Sequence, residues 1–263
     1  MNTIKNIKLI ASDLDGTLLL NGAQKLQPEI FELIRELKSR GIQFLAASGR
    51  QYANLRRLFA PVRDDVIYLC ENGCLSFYQE RMISRELMER DLALELIDAI
   101  LDAEGCEALV SGVETCYVQP KDPEFVVHMR EVVGNEVTVV EDLRRIPEPY
   151  MKVSLFERGS LRHTKWWQKR FGDRCTVVTG GNEWLDMMPL GVNKSTGLRA
   201  ILRHLQIAPE NCMAFGDNDN DLEMLSMVGI PVVMNSAKAS VRSVGMYTTD
   251  TVEHALERFL SSN

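Results

Sequence analysis

A chain of 263 residues, 45% of them hydrophobic, holds enough apolar material for one large domain or two modest ones. Its formal net charge of −7 argues against a nucleic-acid partner, and the chain contains no run of about eighteen apolar residues that would predict a membrane span. The first six residues lack the apolar segment of a signal peptide, and six cysteines without C-x-x-C pairing read as buried free thiols, so a cytoplasmic location is expected.

The first predicted strand, 7–13, is an apolar stretch that ends on Asp13-Leu14-Asp15-Gly16-Thr17. A run of this kind is typical of a parallel strand covered on both faces. Asp13 then lies where the strand delivers its carboxyl end, and ligands of open α/β sheets bind outside those ends. Two carboxylates one residue apart can divide the work, one as nucleophile or metal ligand and one as acid/base, although an ordinary Asp-Gly turn has the same letters. A helix over 28–40 follows, with Ile30, Leu33, Ile34 and Leu37 at helical spacing, Pro28 at its start and Gly41 past its end. A strand at 42–47 runs into Ala46-Ala47-Ser48-Gly49-Arg50. There the Ser48 hydroxyl and the backbone N–H groups around Gly49 can meet an anion, or simply form a turn or cap. A helix at 51–59, a strand at 66–70 and an Asn72-Gly73 turn into a hairpin complete this stretch.

From about 83 to 183 the pattern changes. A helix carrying Leu92, Leu96, Ile97, Ile100 and Leu101 precedes short strands at 106–110 and 115–118. A helix near 122–133, strands near 137–140 and 151–156, a helix at 160–171 and strands near 175–179 and 183–187 follow. This reads as a separate α+β unit with a mostly antiparallel sheet. The expected division is a core of 1–82 and 188–263 with an insertion of 83–187.

Two further signals lie in the returning core, which ends in a predicted helix at 251–261. Gly191-Val192-Asn193-Lys194-Ser195-Thr196-Gly197 stands ahead of a helix pattern (Leu198, Ile201, Leu202, Leu205), where Lys194 is either a phosphate partner or a solvated charge. An apolar strand then enters Cys212-Met213-Ala214-Phe215-Gly216-Asp217-Asn218-Asp219-Asn220-Asp221. Such a concentration of oxygen ligands suits a hard cation such as Mg²⁺; the alternative is an Asx-rich helix cap.

In this order the four motifs resemble those of the haloacid dehalogenase-like hydrolases, in the Cof-type subfamily of phosphatases. Ser48-Gly49-Arg50-Gln51-Tyr52, Glu71-Asn72-Gly73, Tyr117-Val118 and the stretch from Asn211 to Asp221 look most like the bacterial sugar phosphatases. The resemblance spans the chain, with two departures. Met234-Asn235-Ser236-Ala237 replaces a common Met-Gly-Asn-Ala, and the tail lacks an Asp-Gly-Val before its last helix. It implies a Rossmann-like doubly wound parallel-sheet core in the α/β class with an inserted C2-type α+β cap. It further implies Mg²⁺-dependent hydrolysis of phosphate monoesters of small metabolites through an aspartyl-phosphate. In those terms Asp13 is the nucleophile and Asp15 the general acid/base. Asp13, the Asp15 backbone carbonyl and Asp217 hold the metal, and Asp221 supports it from behind or orients Lys194. Lys194, Ser48, Gly49 and Asn220 contact the phosphate. The implied partner is a small phosphorylated metabolite, without nucleic acid or membrane, and the protein is expected as a monomer or weak homodimer. A phosphomutase and a non-catalytic phospho-ligand sensor are the competing readings.

Other conspicuous residues read as structural. Trp166, Trp167 and Trp184 are expected in packing, the four histidines in packing or at the surface, and Arg56-Arg57 and Arg144-Arg145 on solvated faces. Asp186, Asn193 and the Gly180-Gly181-Asn182-Glu183 turn are open candidates for the border of the site.

Overall fold

β1 (Leu9–Asp13) is buried at every position, as its apolar run requires. In this computed structural model, which describes residues 6–180 and 182–262, β1 lies near the middle of an eight-stranded sheet. α1 (Pro28–Ser39) buries Ile30, Leu33, Ile34 and Leu37 and leads to β2 (Gln43–Ala47). α2 (Tyr52–Leu58) leads in turn to β3 (Val66–Cys70). β1 pairs in parallel with β2, Leu9 opposite Gln43, and β2 pairs in parallel with β3, Phe44 opposite Val66. β4 (Leu75–Tyr78) turns back antiparallel on β3, and β5 (Arg81–Arg85) forms that edge.

The inserted unit contains α3 (Arg90–Asp102), β6 (Cys106–Ser111), β7 (Cys116–Val118), α4 (Pro123–Val127) and β8 (Val137–Val139). β9 (Lys152–Glu157), α5 (Thr164–Phe171), β10 (Cys175–Thr179) and β11 (Trp184–Pro189) complete it. Its six strands run in the order β10-β11-β9-β6-β7-β8, antiparallel from β10 through β7 and parallel between β7 and β8. Ala108, Val110, Val153, Leu155, Leu185 and Met187 form a core with Leu96, Ile97 and Ile100 of α3 and Trp167 and Phe171 of α5. The alternate residues Leu109, Val118 and Phe156 pack on Phe125 and Met129. That alternation is the period-two pattern of a sheet with two unlike faces.

The chain then returns through α6 (Lys194–His204), β12 (Cys212–Gly216), α7 (Leu222–Met227), β13 (Ile230–Met234), α8 (Ala239–Arg242), β14 (Tyr247–Thr249) and α9 (Val252–Ser261). β12 pairs with the free side of β1, and β13 and β14 extend the sheet outward, all in parallel. The core is therefore a Rossmann-like doubly wound α/β sheet. The strand order reverses at β1, so the crevice for a ligand opens between the carboxyl ends of β1 and β12.

Contacts divide the molecule into two compact units, the chain up to Ser84 together with that from Asn193, and Arg85–Val192. The junctions stand later than the sequence-based 82/83 and 187/188. β5 is part of the core sheet and carries that unit to Ser84, and β11 keeps Trp184–Pro189 in the inserted sheet.

Three local expectations need correction. The helix expected near 122–133 is α-helical only to Val127; His128–Val133 is a π-helix that closes on Gly134 at φ +75°. The helix expected from 160 begins at Thr164, because Arg162 donates its backbone N–H to the Glu157 carboxylate and the segment before α5 is spent on that turn. Trp166 is not packed away: it is 49% exposed, with the Arg170 guanidinium 5.3 Å from its ring centre. All six cysteines are buried and outside any disulfide, as expected.

Candidate active site

Four neighbouring strands end beside one another, and each delivers polar groups to the same crevice. Asp13 closes β1, Ser48 follows β2, Glu71–Gly73 follow β3, and Asp217 follows β12. Asp13 and Ser48 are buried.

Lys194 enters from the first turn of α6 and is 1% exposed. Its Nζ donates to Asp13 Oδ1 at 2.5 Å and to Asp221 Oδ1 at 2.7 Å. The other oxygen of Asp221 accepts the backbone N–H groups of Asp217 and Asn218, both at 3.1 Å. Thr17 donates its hydroxyl to Asp217 Oδ1 at 2.9 Å. Asn193 fixes the start of α6 by accepting from the Ser195 and Thr196 N–H groups, while Thr196 reaches back to Asn193 N. Asn193 is thus a helix cap, and the cap sets the height at which Lys194 leaves the helix.

Glycine is required at two points. Gly16 has φ +95°, and a Cβ there would lie 2.4 Å from Asp217 Oδ2. Gly73 has φ +106°, and a Cβ would lie 2.2 Å from Asn193 O. The two residues before Gly73, Glu71 at φ +51° and Asn72 at φ +55°, are also left-handed although both are buried. Strain of this kind is concentrated at functional sites.

The predicted phosphate-side residues meet through Asn72. Its N–H donates to Ser48 O at 2.9 Å, its Oδ1 accepts from Asn220 Nδ2 at 3.3 Å, and a Cβ on Gly49 would lie 2.9 Å from its Nδ2. The Ser48 hydroxyl accepts the Arg50 N–H at 3.2 Å. Arg50 in turn donates from Nε and Nη2 to the two oxygens of Asp15, at 2.9 and 2.6 Å.

Among the described residues, Asp13, Asp217 and Asp221 form one group in which one carboxylate oxygen from each lies within 4.8 Å of the others. Burial pushes the Asp13 carboxyl well above its ordinary range, and Asp221 adds to this against the pull of Lys194. Burial also raises Asp217, opposed by the Thr17 hydrogen bond and reinforced by Asp221. At Lys194, burial alone would favour the neutral amine; the charges of Asp13 and Asp221 outweigh it and hold the ammonium above its usual range. Three carboxylates against one ammonium leave the cluster short of positive charge. An oxygen-only donor set with that deficit fits a hard divalent cation.

Sequence reasoning overlooked Thr17, Arg50 and Asn72 as site residues. All three stood in quoted motifs, but neither spacing nor residue type says that Thr17 reaches Asp217 or that Arg50 turns onto Asp15. Asp186, an open candidate, belongs to the inserted sheet, where it accepts from Ser154 Oγ at 2.6 Å and Lys152 Nζ at 3.3 Å. Of the Gly180–Glu183 turn, Gly181 lies outside the described residues. Arg56 is not on a solvated face: it packs 5.8 Å from the Tyr52 ring centre and pairs with Glu80 at 3.0 Å. Arg144 and Arg145 are exposed, as expected.

Carboxylates at the switch point of a doubly wound sheet, joined by a buried lysine, define the class of site; the comparisons give the family. The haloacid dehalogenase-like hydrolase family matches over residues 10–259. The Escherichia coli 5-amino-6-(5-phospho-D-ribitylamino)uracil phosphatase YbjI is 25% identical over 244 residues, covering 92% of this chain and 90% of that protein. An HMP-PP phosphatase of Serratia proteamaculans is 28% identical over 275 residues, covering 97% and 96%. A crystal structure from Eubacterium rectale superposes with a TM-score of 0.85 at 27% identity, covering 96% and 99% of the two chains. The subclass IIB sugar phosphatase BT4131 shares the fold, with a TM-score of 0.80 at 22% identity over 96% and 98%. The chain belongs to the haloacid dehalogenase-like hydrolases and is an enzyme, a phosphoric monoester hydrolase. No helix among the described residues is long and apolar enough to cross a membrane.

Proposed function

We propose that this protein is a Mg²⁺-dependent phosphatase of small phosphorylated metabolites, sugar phosphates foremost, working through an aspartyl-phosphate on Asp13. The observation that carries the reading is the buried Asp13–Lys194–Asp221 chain beside Asp217, at the carboxyl end of the central strand. The relatives' printed names, two phosphatases of different metabolites, agree on phosphatase activity and differ in the metabolite.

A phosphate monoester and a carboxylate repel each other, so attack needs positive charge on both. Asp13 and Asp217, with the Asp15 carbonyl, would hold Mg²⁺, and Asp221 would support it from behind. When bound, the ion supplies the charge that draws nucleophile and phosphate together. Lys194 holds Asp13 Oδ1, which leaves Oδ2 to attack phosphorus. The bond from phosphorus to the leaving oxygen breaks as Asp15 delivers a proton to that oxygen. A water then attacks the aspartyl-phosphate, Asp15 takes its proton, and inorganic phosphate leaves with Asp13 regenerated. Lys194, the Ser48 hydroxyl, backbone N–H groups at Gly49 and Asn220 hold the phosphate oxygens. The inserted unit, 83–187, acts as the cap that selects the leaving group, and six cysteines outside disulfides fit a reducing, cytoplasmic setting.

The test is phosphate release from a panel of phosphorylated sugars with Mg²⁺, alongside Asp13→Asn. Release from several members that is lost in the variant supports the reading. A phosphate moved to another hydroxyl of the same sugar would make the protein a phosphomutase. Tight binding without release would make it a sensor.

A further inference from the structure

Asp15 and Arg50 form a fork in which both carboxylate oxygens are taken by two nitrogens of one guanidinium, at 2.9 and 2.6 Å. The two partners are unequally held. The Asp15 side chain is 56% exposed and that of Arg50 only 16%. Arg50 is anchored at three further points: its N–H on Ser48 Oγ, its carbonyl under Glu71 N at 3.2 Å, and its Nη1 on Asn54 Oδ1 at 3.4 Å. The fixed member is therefore the arginine, seated in the turn that also carries Ser48.

A half-exposed ion pair adds little to folding stability. A two-point fork does something else: it fixes the plane and direction of a carboxylate, which a single ammonium does not. Direction is what a proton-transferring carboxylate needs, since general acid–base help requires a hydrogen-bonding geometry with the reacting oxygen. The Asp15 side chain is largely exposed where Asp13 is buried, so its aim must come from a partner. We infer that Arg50 is the positioning residue for Asp15: when one carboxylate oxygen leaves the fork to carry the transferred proton, the other stays on Arg50 and holds the carboxyl toward the leaving oxygen, tied to the turn that holds Ser48. This rests on the proposed reading of Asp15 as general acid/base.

The test compares Arg50→Ala, Arg50→Lys, Asp15→Asn and the Asp15→Asn/Arg50→Ala double variant on phenyl phosphate and p-nitrophenyl phosphate. Phenolate is the poorer leaving group and depends more on a delivered proton. Arg50→Ala should lose at least about tenfold more kcat/KM, which reports expulsion of the leaving group, on phenyl than on p-nitrophenyl phosphate. The double variant should be no slower than Asp15→Asn alone, because a carboxylate already absent has nothing to be aimed. Arg50→Lys should repair only a minor part of the loss, and added methylguanidine should restore phenyl phosphate turnover to Arg50→Ala, which also reports an intact fold. Equal losses of Arg50→Ala in kcat/KM on both esters, losses that multiply in the double variant, or full activity of Arg50→Lys would overturn the proposal. If Asp15→Asn itself shows no preference between the esters, the acid/base reading of Asp15 falls and this inference falls with it. A preference in Asp15→Asn without one in Arg50→Ala overturns the inference alone.

Discussion

Lys194 shows how much a single side chain decides here. It is fully buried, yet it stays charged because two carboxylates face its ammonium. Removing it would leave Asp13 and Asp221 buried without their shared counter-charge. Lys194→Met should therefore unfold with a loss of about 3–5 kcal/mol. Phosphate release, corrected for the folded fraction, should fall about 10²–10³-fold. Calorimetry and an aryl phosphatase assay on one preparation check both. Asp13→Asn should behave differently. Burial holds the Asp13 carboxyl above its unfolded value, so its ionised form opposes folding at neutral pH, and that cost grows as pH rises through the folded value. The amide should thus end turnover, by roughly 10³-fold or more, while the metal-free protein melts no more than slightly below the wild type. A variant that keeps activity within about tenfold would remove Asp13 from the nucleophile's role. Asp15→Asn should lose roughly 10²–10⁴-fold in kcat/KM on a sugar phosphate and far less on p-nitrophenyl phosphate, whose leaving group needs no proton.

At the level of elements, the site depends on where α6 begins. Asn193 caps the helix, Lys194 is its first residue, and Gly73 presses against the Asn193 carbonyl from the turn after β3. Asn193→Ala should cost about 1 kcal/mol through the lost cap and lower turnover by shifting Lys194. Gly73→Ala should cost more. A side chain there combines a disfavoured φ, worth about 1–3 kcal/mol, with an overlap against the Asn193 carbonyl that the backbone must move to relieve. Thermal unfolding of the two variants ranks them, and Asn193→Ala melting below Gly73→Ala would contradict this account. The buried strands were legible in the sequence because strands covered on both faces must be apolar throughout: 66–70 was expected and Val66–Cys70 is found. The His128–Val133 π-helix was not legible, since its residues keep a helical apolar pattern while only the hydrogen-bond span changes. The late start of α5 follows from Arg162 turning back to Glu157, a contact that periodicity does not register.

For the molecule as a whole, the charge deficit in the crevice should make a divalent cation a folding ligand as well as a cofactor. Mg²⁺ at about a hundred times its dissociation constant should add about 2.7 kcal/mol of stability. Chelation should abolish turnover, and Ca²⁺, with longer bonds and looser geometry, should restore it less well than Mg²⁺. Asp217→Ala should flatten the rise of melting temperature with Mg²⁺. A melting temperature indifferent to Mg²⁺ in the wild type would argue against the proposed metal site.

The sequence by itself pointed to a core with an insertion, to the parallel sheet, and to Asp13, Asp15, Lys194 and Asp217 as the residues to watch. These follow from local facts: apolar runs, punctuation by glycine and proline, and charged residues at strand ends, where only a ligand or a turn can use them. Only the tertiary structure decided the pairing. Asp13 and Lys194 are 181 residues apart, and Thr17 and Asp217 are 200 apart. Their meeting depends on β12 taking the free side of β1 and on the cap that sets the start of α6. Arg50 on Asp15, Asn72 between Ser48 and Asn220, and Asp186 satisfied by Ser154 and Lys152 were equally beyond the linear pattern. A side chain's direction is set by the backbone turn that carries it and by the neighbours that fill its other options, and neither is written in the spacing of residues along the chain.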